Sequence, residues 1–180
     1  MERTAVPEGL DPAVRHREVS VQADGVHLER MRHEVRIRDM TIVSDEPESL
    51  GGDDAHPRPL DYVAAGVATC VMTQMVRYGH MLRARLDALR VRVRIDWSSE
   101  GSVMAGTIAA RCHGMTVRVE VDSPDDPALI AALIHNARAG CYAEAAIAEP
   151  VPIEASAQLN GEPLDLAAHP SRPPRGGGPR

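Results

Sequence analysis

Two cysteines, Cys70 and Cys141, are the side chains whose type and spacing point to chemistry. If they meet, with α-carbons within about 4.4–6.8 Å, they form a dithiol that can cycle through a disulfide. In such a pair one sulfur, as thiolate, attacks the O–O bond of a peroxide and becomes a sulfenic acid. The second then condenses with it and protects it from further oxidation. Cys70 falls in the run from Arg58 to Tyr78, where Val63, Val67, Cys70 and Gln74 recur at helical spacing among the small residues Ala64, Ala65, Gly66 and Ala68. Pro59 stands where that helix should begin, because its missing N–H is an orphan donor there anyway. Lying about three turns in, Cys70 is too deep for the helix N-terminus to make it acidic. It needs an arginine from elsewhere, held by a carboxylate, whereas Cys141 opens a short helix and can draw on its dipole. Composition alone leaves Cys70 open as an inert small core residue, and spacing leaves the meeting of the two sulfurs open.

The other reactive types are less organised. Cys112 lies in a strand beside His113 and is expected to be a buried structural thiol. The eight histidines show no spacing that suits a metal, and Asp53, Asp54 and His56 read as solvated loop polarity, so neither a metal nor another cofactor is expected. A chain of 180 residues accommodates one domain with a real core. Its formal charge of −6 argues against a nucleic-acid or anionic-membrane surface. The basic residues are all Arg, so any side-chain cation serving a thiolate is a permanently charged, forked guanidinium. No segment reaches membrane-spanning length and no signal-like apolar run opens the chain; with only three cysteines, a cytoplasmic protein without a disulfide framework is expected.

The elements that must position the thiols follow from periodicity. Residues 1–15 read as a flexible arm, and residues 17–22 alternate like a strand before a turn at Ala23-Asp24-Gly25. Val26 to Val43 alternates in places, which predicts an N-terminal antiparallel hairpin or meander. The Gly- and Pro-rich stretch 44–58 is a loop into the long helix. After a connection at 80–87, residues 89–97 form the cleanest alternating strand, followed by strands at 103–112 and 115–122. Asp125-Asp126-Pro127 starts a helix whose stripe is Leu129, Ile130, Leu133, Ile134 and Ala137; Gly140 ends it, and a short helix runs from Cys141 to about Ala148. A strand at 150–158 and an Asn160-Gly161 turn precede a tail, 163–180, too poor in apolar residues to fold. The main domain is thus 16–162. Its order of strands, helix, strands, helices and strand is that of an α+β fold.

Asp45-Glu46-Pro47, Gly51-Gly52, the helix Pro59-Leu-Asp-Tyr-Val-Ala-Ala-Gly-Val-Ala-Thr-Cys70 and a lone cysteine about seventy residues later together resemble the OsmC/Ohr family, over roughly residues 17–160. The resemblance implies antiparallel sheets around a long central cysteine-bearing helix in an intertwined homodimer. It also implies thiol-dependent reduction of organic hydroperoxides, with the dithiol restored by a small thiol or a lipoyl-type reductant. By position, Cys70 matches the peroxidatic cysteine and Cys141 the resolving one. Asp61 matches the orienting acid, and the activating arginine comes from the N-terminal strands. Arg32 is chosen there, by distance from the Gly51-Gly52 loop, over Arg30, Arg36 and Arg38. Two departures stand out: Leu60 occupies the place of the classical reductases' Glu, and Tyr142 follows the second cysteine in place of Pro. They give the alternative reading, a non-catalytic protein of this fold that binds an apolar small molecule in the dimer cleft.

Overall fold

The structure, a computed structural model, describes residues 16–149 and 151–168. The arm at 1–15 and the tail beyond residue 168 lie outside the described residues. The elements in chain order are β1 (Asp24–Glu29), β2 (Arg32–Ile37), β3 (Met40–Ser44), a single 3-10 turn (Glu48–Leu50), α1 (Pro59–Leu82), β4 (Ala88–Glu100), β5 (Ala109–Asp122), α2 (Pro127–Ala139), α3 (Tyr142–Ala148), β6 (Ala157–Leu159) and β7 (Glu162–Leu164). They fall into two compact units. Among the described residues, the first takes 16–93 together with Val117–Ala145; the second takes Arg94–Thr116 together with 146–149 and 151–168.

In the first unit β1, β2 and β3 form an antiparallel sheet in that order, with Val35 opposite both Gly25 and Ile42. The hairpins close at Arg30 and Arg38, which take left-handed backbone with φ of 51° and 55°. Residues 17–22, expected as a strand, carry no regular structure, and Asp24-Gly25 lie inside β1 rather than in a turn. Alternation supplies an amphipathic face but not a partner strand, and both edges of β2 are already taken.

α1 begins as its sequence dictates, with Arg58 as the flanking residue and Pro59 at the first helical position. It runs on past Tyr78 to Leu82 and ends at Arg83, which is left-handed. Val67, Val71 and Met75 form its buried stripe and pack with Leu133, Ala137 and Cys141, all at most 1% exposed. α2 starts where Asp126 Oδ1 accepts the Ala128 N–H at 2.7 Å and Pro127 fills the first position.

The loop between β3 and α1 is tied rather than loose. Asp45 is buried, and its carboxylate accepts the Glu46 N–H at 2.8 Å on one oxygen and the Asp53 and Ala55 N–H groups, both at 3.2 Å, on the other. Burial pushes this carboxyl up, but the three amides and the Arg32 charge outweigh it and hold its pKa below the usual Asp value. Gly52 is buried against this turn; a Cβ there would overlap the Glu46 carbonyl and stand 2.7 Å from Asp45 Oδ1. Gly52→Ala is therefore expected to cost about 3 kcal/mol, read as a lowered urea midpoint.

β4 pairs with β5, which is one continuous strand through Gly114 instead of two strands broken there. Residues 103–106 form a turn, not part of a strand. In the second unit β6 pairs antiparallel with β7 across Asn160-Gly161, both left-handed at φ 53° and 87°, as a tight two-residue hairpin requires. Of the expected 150–158 strand, only Ala157 and Gln158 pair among the described residues, and β6 runs on to Leu159. Pro152 has no N–H to offer a ladder. No helix among the described residues is long and apolar enough to cross a membrane.

Candidate functional site

Cys70 sits half-buried in the middle of α1, on the flank of the stripe formed by Val67, Val71 and Met75. One turn further on, Gln74 is 3% exposed and reaches across to α2's end, where its Nε2 donates to the Gly140 carbonyl at 2.8 Å. Gly140 also lies against the Tyr78 ring, which leaves no room for a Cβ. α1 thus fixes the residue before Cys141 from two side chains, and Cys141 is carried against Cys70. The two thiols are free, and the Cys70 side chain is among the neighbours that raise the pKa of Cys141.

Cys141 is 1% exposed and serves as the flanking residue of α3: its Sγ accepts the Glu144 N–H at 3.4 Å and its carbonyl accepts the Ala145 N–H. Burial, and after it the Cys70 side chain, push its pKa from the ordinary 9.0 up to about 11, against the pull of the Glu144 and Ala143 amides. A thiol raised in the fold stabilises the folded state below its unfolded value and loses that contribution as pH rises through its folded value. Stability is therefore expected to hold to about pH 9 and decline toward about pH 11, a slope that Cys141→Ala should flatten in urea unfolding followed at each pH. At neutral pH Cys141 is accordingly held as a thiol.

Arg32, in β2, is held by two carboxylates: its guanidinium pairs with Glu29 Oε1 and Asp53 Oδ2, each at 3.2 Å. Its Nε is buried with no partner. Arg30 clamps the same loop, donating to the Gly51 and Gly52 carbonyls and pairing with Asp53. Asp53 is therefore an ion-pair residue rather than free loop polarity. On sequence grounds Asp61 is expected to steady Arg32. In the structure it bonds Arg58 instead, accepting its backbone N–H and Nε at 3.0 Å and its Nη2 at 2.8 Å. The reason is local: a carboxylate at the third helical position faces back onto the residue that precedes the helix. Those Arg58 bonds lower the Asp61 pKa below the ordinary Asp value. Cys112, expected to be buried, is exposed on β5.

Sequence reasoning did not single out Gln74's bond to Gly140, the bond from the Tyr62 hydroxyl to the Val43 carbonyl at 2.6 Å that ties α1 to β3, or the pair formed by Arg138 and Glu144. The last had a legible signal, since the two charges stand three residues either side of Cys141.

A half-buried thiol on a long helix and a buried one at the turn between two shorter helices thus sit on a mixed scaffold of helices and antiparallel sheets. The profile of the OsmC-like protein family matches residues 51–156, more than half of the chain. The chain belongs to that family. Among solved structures it is similar to an OsmC-like hydroperoxide resistance protein from Jannaschia sp., at 25% identity, covering 78% of this chain and 93% of that one with a TM-score of 0.54. It also shares its fold with an organic hydroperoxide resistance protein OsmC from Legionella pneumophila, at 17% identity over 73% and 91% of the two chains with a TM-score of 0.57. An OsmC-like protein from Mycoplasma pneumoniae aligns at 16% identity over 71% and 86% with a TM-score of 0.61. No curated protein matches the chain.

Proposed function

We propose that this protein is a thiol-dependent peroxidase that reduces organic hydroperoxides to alcohols as a cytoplasmic homodimer. The observation that carries the reading is the juxtaposition of Cys70 and Cys141, one half-buried and one sealed. The Cys70 thiolate attacks the distal peroxide oxygen; the O–O bond breaks, the leaving alkoxide takes a proton, and Cys70 becomes a sulfenic acid. Cys141 condenses with it, its proton leaving with the sulfenic oxygen as water, and the disulfide forms. A small thiol or a lipoyl-type dithiol then restores the pair. The similarity to an OsmC-like hydroperoxide resistance protein supports the substrate class.

Arg32 is assigned the activating cation. It differs from Arg36 and Arg38 in being held by two carboxylates while a buried Nε is still unpartnered. Asp61 is assigned the orienting carboxylate at the head of α1, where it is held by Arg58. A second copy suits α1, whose exposed side carries Val63, Gly66 and Val76, and β1, which is exposed along its whole length with Val26 and Leu28. The test is stopped-flow consumption of cumene hydroperoxide by the reduced protein. Arg32→Met and Asp61→Asn should each slow the first thiol oxidation by about ten- to a hundredfold, while Arg36→Met on the exposed face should not. Equal rates in all three variants would reject these assignments, and no fast thiol loss in the native chain would reject the activity.

A further inference from the structure

Gln74 is a buried polar side chain that the chemistry above leaves without a role. It is 3% exposed and lies one turn beyond Cys70 on α1. Residues four apart share a helix face, and side chains lean toward the helix N-terminus, so Gln74 lies back over the Cys70 turn. Its Nε2 donates at 2.8 Å to the Gly140 carbonyl. That carbonyl belongs to the same peptide unit as the Cys141 N–H, which donates to the Arg138 carbonyl at 3.1 Å. The peptide that leads into Cys141 is therefore held at both ends, and one of the two holds comes from the helix of Cys70. The other end of the Gln74 amide is idle: Oε1 is buried and finds no donor among the described residues. Only the amide nitrogen can face a carbonyl, so the two ends cannot exchange.

A buried acceptor left empty costs more than one neutral hydrogen bond returns, so this amide is a poor stabiliser. Beside Val71 and Met75, an apolar side chain of similar length would hold the fold as well. What an apolar side chain cannot do is fix the Cys141 peptide relative to α1. We propose that Gln74 is a positioning residue for disulfide formation, tying that peptide to the helix that carries Cys70 and so holding the second sulfur in reach of the first. The inference rests on the reading above only in pairing Cys70 with Cys141. In the step it serves, Cys141 Sγ bonds to the sulfur of the Cys70 sulfenic acid. The Cys70 S–O bond breaks, and the hydroxyl leaves with the Cys141 proton as water. Holding both sulfurs in one frame raises the effective concentration of each at the other. Freeing the peptide lowers it, whichever oxidant makes the bond.

The test uses the full-length chain in glutathione buffers, quenched with acid and read by peptide mapping, so it needs no peroxide. Two protein thiols give up two electrons and two protons as one oxidised glutathione becomes two reduced ones. The equilibrium gives the effective concentration of the Cys70–Cys141 pair. Gln74→Met and Gln74→Leu should each lower it by about tenfold, with thermal midpoints within a few degrees of the native one. Met and Leu differ in length, so a loss they share is that of the donor and not of one particular packing. A merely structural role would do the reverse: the midpoint would fall, and the effective concentration would stay, because dithiol and disulfide forms would be weakened alike. An unchanged effective concentration in both variants overturns the proposal, and so does loss of the fold in both, which would make the amide a stabiliser. Absence of the Cys70–Cys141 disulfide from the native chain at every glutathione ratio overturns it together with the peroxidase reading. A disulfide that the variants weaken as described, in a chain that consumes no peroxide, supports the proposal and overturns the peroxidase reading alone.

Discussion

Cys70→Ser should consume cumene hydroperoxide no faster than buffer does, a loss on the order of a thousandfold or more from the native rate. The substitution changes one atom on a half-buried position of α1, so the helix and its packing against α2 should persist. What disappears is the polarizable, ionisable sulfur, since a serine hydroxyl is not appreciably ionised at neutral pH. The measurement is peroxide concentration against time, with a thermal melt beside it. A melt unchanged to within a few degrees together with lost consumption separates chemistry from folding. Consumption that survives would move the reaction to another thiol, and exposed Cys112 would be the first to test.

Cys141→Ser should have the opposite kinetic signature. Serine is a good helix-flanking residue, and its Oγ can take the Glu144 N–H that Cys141 Sγ now accepts, so α3 should remain in place. The first turnover should proceed at close to the native rate. The sulfenic acid then has no partner, and steady turnover with a dithiol reductant should fall by roughly a hundredfold as Cys70 advances to sulfinic acid under excess peroxide. Mass spectrometry of the treated variant should find about two added oxygens on the Cys70 peptide. Undiminished steady turnover would mean that the external thiol reduces the sulfenic acid directly and that the second cysteine is dispensable.

Much of this was legible in the sequence where local chemistry decides the outcome. Pro59 and Asp126-Pro127 set the starts of α1 and α2, Gly140 marks the end of α2, and Asn160-Gly161 makes its hairpin turn, because each is dictated by the backbone preferences of one or two residues. The stripe of Val67 and Val71 on α1 and of Leu133 and Ala137 on α2 followed from helical spacing. Strand extent was less legible. Residues 17–22 alternate without finding a partner, while Gly114 interrupts the apolar pattern of β5 without breaking its ladder. Ladders depend on a second segment that no local pattern names.

The same division runs through the site. Cys70 and Cys141 could be singled out from residue type and from the family resemblance, but their surroundings could not. Asp61 pairs with Arg58 three residues away, whereas Arg32 finds Asp53 from twenty-one residues away and Gln74 finds Gly140 from sixty-six. Arg138 and Glu144 flank Cys141 at a visible spacing, yet their bond requires the chain to turn sharply between α2 and α3. Of the four arginines in the N-terminal stretch, distance from the Gly51-Gly52 loop singled out Arg32 in the sequence, but its two carboxylates and unpartnered Nε appear only in the fold.

The most direct measurement is intact-mass and peptide analysis of the reduced native chain after one equivalent of cumene hydroperoxide. A loss of about 2 Da, with the Cys70 and Cys141 peptides joined and Cys112 still free, is the predicted result. An unchanged mass, or oxygen added to Cys70 while Cys141 stays a free thiol, would contradict it.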